Sequence, residues 1–412
     1  MLAGLLSASH LMPLELLPTT TAEHAANAGF TDVLIYLADL QGDVLRLLTG
    51  EGPNAGQGRA DEAGELRIDS SMAGRAFQHG LVLAGASIGA RGKHWWVPLL
   101  DGTERLGVLR ITTDAEDTRT REDMKLLASL LALIVHSKQS SSDELARLTR
   151  SRPLNIAAEM QWNLMPQRSY ADGRVVIAAA MEPAYMIAGD AYDYATAGDV
   201  VHLSLFDAMG HDTAAGLTAT LAMGACRNSR RQGAGLAEVS EQVEKALIEQ
   251  FGQSRYATGV IASLDTSTGV LTWVNRGHPP PVVIRGGRWH TTLKCPPAHP
   301  MGTGLGLPVT LCREQLEPGD RLVLYTDGIT EARSADDREF GRERFVDFLV
   351  RHHADGLPVP ETLRRLIHAV LDHHDGRLQD DATVLFCEWL GPTAAPSAEA
   401  AALAGLPYDG PA

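Results

Sequence analysis

The chain has 412 residues, enough for two or three domains with separate cores, and its 44% apolar and 21% charged residues describe a folded globular protein rather than a disordered one. Its formal charge of −15 argues against nucleic acid or an anionic membrane surface as the main partner, because both attract basic patches. Four widely spread cysteines with no CxxC pair (Cys226, Cys295, Cys312, Cys387) are expected to be buried thiols in a reducing cytoplasm.

In chain order, residues 1–18 lack the basic n-region of a secretory signal, and no apolar run approaches the ~20 residues needed to span a bilayer. A soluble, cytoplasmic protein is therefore expected. Residues 20–139 hold short alternating strands at 31–39, 43–50, 95–100 and 105–113, the last two joined by a hairpin turn at Asp101, Gly102, Thr103 and Glu104. Gly-rich 50–58 reads as a loop. A helix is expected from near Thr120, where Asp123 gives a capping-box-like start. Leu127, Leu130, Leu131, Ile134 and Val135 then fall on one helical face. The polar segment 139–169 has a fresh capped start at 140–148 and a stop at Pro166. It reads as a helical linker, either a plain connector or a dimerising element that transmits a signal.

Beyond it, strands are expected at 175–180, 200–205, 259–264, 270–275, 281–284, 321–324 and 383–388, with helices at 213–227, 237–250 and 361–373. Many strands with few crossover helices predict an α+β protein of packed antiparallel sheets flanked by helices. The Ala-, Pro- and Gly-rich stretch 391–412 is expected to be a disordered tail.

The chemistry is carried by aspartates at strand ends. Asp207 closes an apolar run at 201–207, Asp327 follows Leu322, Val323 and Leu324, Asp190 sits at a Gly-Asp step, and Asp380 with Asp381 opens the last strand. Two such carboxylates about 5 Å apart repel by roughly 3 kcal/mol at an effective dielectric near 20. A cluster of them asks for protons or for hard divalent cations, which prefer oxygen ligands. The residues alone thus suggest a metal-dependent hydrolase.

The stretches around these aspartates, in order 187–194, 206–212, 273–284, 300–304, 316–332 and 380–386, resemble the PPM-type (protein phosphatase 2C-like) serine/threonine phosphatases of the SpoIIE branch. That resemblance implies two β-sheets packed between helices, an α-β-β-α sandwich. It also implies two Mn²⁺ or Mg²⁺ ions bridged by an aspartate, with an activated water attacking phosphorus in line. Carried over, Asp207 bridges both ions, the Ala208 carbonyl is a further ligand, and Asp190, Asp327 and Asp380 complete the shells. Asp190, Asp207 and Asp327 are then also the catalytic set. The first zone resembles a GAF sensory domain, chiefly through 32–39, 71–77 and 96–111. The resulting plan is a GAF-like α/β domain at 1–138, a linker or switch at 139–169, a phosphatase domain at 170–390 and a tail at 391–412. Relatives of this architecture dephosphorylate anti-sigma-factor antagonists. The implied protein is a homodimeric signalling phosphatase acting on a phosphorylated protein, with an unknown small-molecule or protein signal at the GAF-like domain. The helix before Pro166 resembles one that completes the metal site in such relatives. The alternative is a non-catalytic sensor scaffold that binds its partner without hydrolysis.

Other residues carry blander expectations. Asp212 reads as a helix N-cap, although the family pattern has Gly there. Asp320 reads as a turn residue, and Asp193 either orients a metal water or closes a turn. Asp381 is expected to point away from the site, because adjacent strand residues face opposite sides. His278 is expected to shape a loop, and His211 with His373 and His374 lacks the helical-bundle setting of HD phosphohydrolases. No cysteine is followed by five residues and Arg, and no DxDx[TV] or P-loop motif occurs, which leaves the competing phosphoryl-transfer chemistries without their residues.

Overall fold

The computed structural model describes residues 1–50, 63–85, 93–183, 185–186, 189–296, 298–354, 357–374, 378, 380–393 and 398–406. Most of the loop expected at 50–58 lies outside the described residues. Two compact units emerge, one built on Met1–Pro153 and one on Leu154–Ala404. Among the described residues no helix is long and apolar enough to cross a membrane.

In the first unit α1 (Leu2–Ser9) and α2 (Leu17–Ala25) precede β1 (Asp32–Ala38), β2 (Val44–Leu47), β3 (Glu65–Arg67), α3 (Met72–His79), β4 (Leu83–Ala84), β5 (Lys93–Asp101) and β6 (Glu104–Thr113). Helices α4 (Thr118–Gln139) and α5 (Asp143–Thr149) close it. The strands form one antiparallel sheet in the order β3-β2-β1-β6-β5-β4. Period-2 alternation sorts its side chains: Ile35, Trp95 and Leu109 join Leu127 and Leu131 of α4, while Tyr36, Trp96 and Val108 join Phe77 of α3. Helix α4 is capped by Asp117, which accepts the Thr120 N–H at 2.9 Å, rather than by the box expected at Thr120 and Asp123. The start is set by the residue outside the helix whose carboxylate meets the free N–H groups.

The second unit begins with α6 (Ile156–Leu164), β7 (Ser169–Ala171), β8 (Val175–Glu182), β9 (Asp190–Ala197), β10 (Val200–Ala208), α7 (Thr213–Arg231) and α8 (Leu236–Phe251). It continues with β11 (Ala257–Asp265), β12 (Val270–Arg276), β13 (Val282–Arg285), β14 (Trp289–Thr292), β15 (Cys312–Gln315) and β16 (Asp320–Tyr325). The rest is α9 (Asp327–Thr330), α10 (Arg342–Ala354), α11 (Val359–His373), β17 (Ala382–Trp389) and α12 (Ala398–Ala404). Two antiparallel sheets result, in the orders β15-β12-β11-β10-β9 and β14-β13-β16-β17-β8-β7. Ile177, Leu324 and Leu385 of the second share one core with Leu203, Leu205 and Val260 of the first. Helices α7 and α8 cover the five-stranded sheet and α11 the six-stranded one, so the expected sandwich of sheets between helices is present.

The segment 139–169 is not one linker. Leu145 and Leu148 of α5 are buried in the first unit, whereas Ala158 of α6 enters the core of the second. Its polar composition concealed two short amphipathic pieces. The tail is not wholly disordered either: α12 places Ala400, Ala401 and Ala404 in buried positions and packs on β7, β8 and α11. Alanine has the highest intrinsic helix propensity, so composition alone understated its order. Finally, Cys295 and Cys312 form a disulfide with their Cα atoms 5.9 Å apart. The loop between β14 and β15 folds back, an encounter that spacing cannot reveal. Cys226 and Cys387 are buried thiols as expected, and burial pushes the Cys226 thiol up to about 11.

Candidate metal centre

The centre is assembled from strand ends on both sheets. β9 begins at Asp190 and β10 ends at Asp207 and Ala208, and the antiparallel register places the Asp190 and Asp207 Cα atoms opposite one another. β16 runs out at Tyr325, and Asp327 starts the short α9 one residue after Thr326. β17 pairs with β16 through Tyr325 and Val384, which brings Asp380 and Asp381 alongside.

Hydrogen bonds tie the sheets together at this point. The hydroxyls of Thr326 and Thr383 both donate to Asp190 Oδ2, at 2.8 and 2.5 Å. Asp381 Oδ2 accepts the Gly189 N–H at 2.6 Å and the Asp190 N–H at 3.2 Å. Two glycines make this approach possible. A Cβ at Gly189 would lie 2.6 Å from the Ala208 carbonyl oxygen, and one at Gly328 would lie 2.0 Å from the Asp381 carbonyl oxygen. From below, Gln161 of α6 donates its side-chain amide to the Asp190 carbonyl at 2.9 Å.

Asp190 and Asp381 are buried, Asp207 and Asp327 half-buried, and Asp380 exposed. Burial, then the charges of Asp207 and Asp381, hold the Asp190 carboxyl well above the usual carboxylate range. Burial, then Asp327, Asp380 and Asp381, push Asp207 up to about 7. Asp327 is raised by burial and then by Asp380. The four expected aspartates are therefore linked through Asp207, which lies within electrostatic reach of Asp190, Asp327 and Asp380, while Asp327 is also within reach of Asp380. Among the described residues no three His, Cys, Asp or Glu side chains already form a ready ligand group. The donors nonetheless suit a hard divalent cation: all are oxygen, and each carries a charge that its neighbours oppose.

Asp381 does not point away. The alternation that would have turned it outward applies inside a strand, and β17 begins only at Ala382. Asp193 neither closes a turn nor faces the cluster; it is buried between Arg227 (2.6 Å) and Arg230 (3.0 Å), one helical turn apart on α7. Asp320 is a buried partner of Arg285 that also accepts the Glu317 N–H, so its turn role is joined to an ion pair. Asp212 is the N-cap of α7, accepting the Ala215 N–H at 2.8 Å. His278 is buried. Its Nε2 meets the Tyr325 carbonyl at 3.1 Å and its Nδ1 the Thr258 hydroxyl at 2.8 Å. A carbonyl only accepts, so Nε2 carries the hydrogen, and burial lowers the ring to about 4. Thr326, Thr383, Gly189 and Gln161 were not singled out from the sequence, because nothing local marks a residue that meets its partner across a sheet.

Residues 197–390 match the family described as Stage II sporulation protein E (SpoIIE). Protein IcfG of Synechocystis sp. is 29% identical over 139 residues, which is 33% of this chain and 21% of that relative, so the match spans about a fifth of IcfG. Phosphoserine phosphatase RsbU of Bacillus subtilis is 21% identical over 234 residues, covering 56% of this chain and 68% of the relative. Among solved structures, the RsbU and RsbW domains of Rv1364c from Mycobacterium tuberculosis are 26% identical with a TM-score of 0.48, over 56% of this chain and 64% of that one.

Proposed function

We infer that this chain, whose residues 197–390 form a SpoIIE-type phosphatase domain, is a divalent-cation-dependent phosphatase of phosphoserine and phosphothreonine in a protein substrate. The observation that supports the reading is that Asp207, on one sheet, is crowded by the charges of Asp327 and Asp380 from the other and itself crowds Asp190 beside it. Asp207, whose neighbours include carboxylates from both sheets, would be the shared ligand, and Asp190, Asp327, Asp380 and the Ala208 carbonyl would be the others. Asp381, absent from the expected set, holds the Gly189–Asp190 backbone in place. A pair of Mn²⁺ or Mg²⁺ ions, when bound, supplies Lewis-acid activation of a water and neutralises charge on the phosphoryl oxygens. Thr326 and Thr383 fix the rotamer of Asp190, so its carboxylate need not reorganise when charge develops nearby.

The name of RsbU supports a phosphoserine substrate, and an anti-sigma-factor antagonist is the substrate we propose. We propose a GAF-like sensory role for the first unit, with a small-molecule or protein signal, and a cytoplasmic homodimer as the working form. Helix α6 is the proposed switch, a role supported by the contact of Gln161 with Asp190.

The test is hydrolysis of a phosphoserine peptide with Mn²⁺ added. Wild-type protein should release phosphate, and Asp327→Asn should lose at least about a hundredfold in kcat/KM, the range seen when one charge-stabilising group is removed. Equal release by the two proteins would remove the assignment of Asp327, and no release by wild type with Mn²⁺ present would leave the partner-binding scaffold in its place.

A further inference from the structure

A cation accompanies Asp212, the N-cap of α7. Arg255, just before β11, donates from Nη2 to Asp212 Oδ2 at 3.1 Å and from Nη1 to Asp212 Oδ1 at 3.4 Å. The same Nη1 reaches the Met209 carbonyl at 3.2 Å. One guanidinium thus holds both ends of the short loop that follows Asp207 and Ala208. The loop needs such a hold. Ladder bonds secure it only as far as Met209, whose N–H goes to the Tyr256 carbonyl, while Gly210 adopts φ +94° and residues 209–212 are exposed.

Arg255 is itself anchored from behind. Its carbonyl oxygen lies where a Cβ on Gly302 would approach to 2.6 Å, so the 302 loop packs directly on it. That loop is clamped by Glu244, which accepts the N–H groups of Gly302 and Gly304, each at 2.8 Å. Glu244 in turn is paired at 2.7 Å with buried Arg276, which also binds Ser240 and the His299 carbonyl. A network rooted in buried Arg276 therefore backs the residue whose side chain reaches out to the ligand loop. A helix cap alone would need one oxygen of Asp212, and Asn would supply it. The second oxygen accepts from Arg255.

We propose that Arg255 is a positioning residue: through Asp212 and the Met209 carbonyl it holds the 208–212 loop so that Asp207 and the Ala208 carbonyl are set for a divalent cation. The proposal rests on the cation-dependent reading above. Asp212 is largely exposed and Arg255 partly so, and the contribution of such a solvated pair to folding is small, so its effect should appear in cation affinity instead.

The experiment titrates Mn²⁺ into chelator-treated full-length protein and follows the unfolding midpoint of the second unit by calorimetry. Arg255→Ala should unfold within about 2 °C of wild type without metal, as expected for an exposed ion pair. It should need at least about tenfold more Mn²⁺ for half the maximal rise, as a misplaced ligand loop demands. Asp212→Asn, which keeps the cap, should show a similar shift. The two changes combined should add little, because each removes the same contact. Arg255→Lys should recover part of the loss, since an ammonium replaces one contact but not the fork. With a small phosphate ester, kcat of Arg255→Ala should return at saturating Mn²⁺ with KM unchanged. An unchanged Mn²⁺ requirement in Arg255→Ala, or fully additive losses, would overturn the proposal. A wild-type protein whose midpoint ignores Mn²⁺ would overturn the cation reading and this inference together.

Discussion

Replacing Asp207 by Asn should stabilise the metal-free protein at alkaline pH while destroying its response to metal. In the fold its carboxyl is pushed from 3.8 to about 7 by burial and by Asp327, Asp380 and Asp381. A carboxylate raised on folding contributes stability that is intact at low pH. That stability is lost between the unfolded value near 4 and the folded value near 7, because the folded chain holds a proton the unfolded chain has released. Three pH units at about 1.36 kcal/mol each set a ceiling of about 4 kcal/mol. Asp207 is only half-buried, so solvent screening brings the expected loss to about 2 kcal/mol. Asn matches the side chain in shape and carries no charge. Calorimetry of the second unit in chelator should therefore find the variant about 2 kcal/mol more stable than wild type at pH 8, with the difference closing toward pH 4. Adding Mn²⁺ should raise the wild-type midpoint and leave the variant unmoved, since a ligand stabilises only the state that binds it. A variant less stable than wild type at pH 8, or a difference independent of pH, would refute the electrostatic argument.

His278 works in the opposite direction. Its folded value of about 4 lies below the ordinary 6.5, so stability present above pH 6.5 should fall as pH drops toward 4, by about 3 kcal/mol at most, and His278→Gln should flatten that decline in a pH series of urea unfolding. Thr383→Val removes one of the two hydroxyls that orient Asp190 and should raise the Mn²⁺ needed for half-maximal stabilisation about tenfold, consistent with the 1.5–3 kcal/mol of a hydrogen bond to a charged group. Replacing both Cys295 and Cys312 by Ser opens a loop with a sequence separation of 17 and should cost up to about 3 kcal/mol, seen as a lower unfolding midpoint of the second unit. An unchanged midpoint would mean that the loop is held closed by its other contacts.

The amino-acid sequence by itself determined the alternation that builds the sheets, the caps of α5 and α7, the stop at Pro166 and the aspartates at strand ends. These are short-range properties, set by a residue and its neighbours within a few positions. The residue before Pro166, for example, is extended because the proline ring excludes the helical region there. Tertiary structure decided what depends on partners far along the chain. It turned Asp381 toward Gly189, 192 positions away, and enclosed Asp193 between two arginines of α7. It also joined Cys295 to Cys312, divided the 139–169 segment between two units and folded part of the tail into a helix. In each case the local pattern allowed more than one outcome. For the aspartates the choice was made when buried charges and N–H groups had to find partners, and for the other segments when apolar side chains and thiols met across the packed elements, conditions that arise only once the sheets and helices are packed.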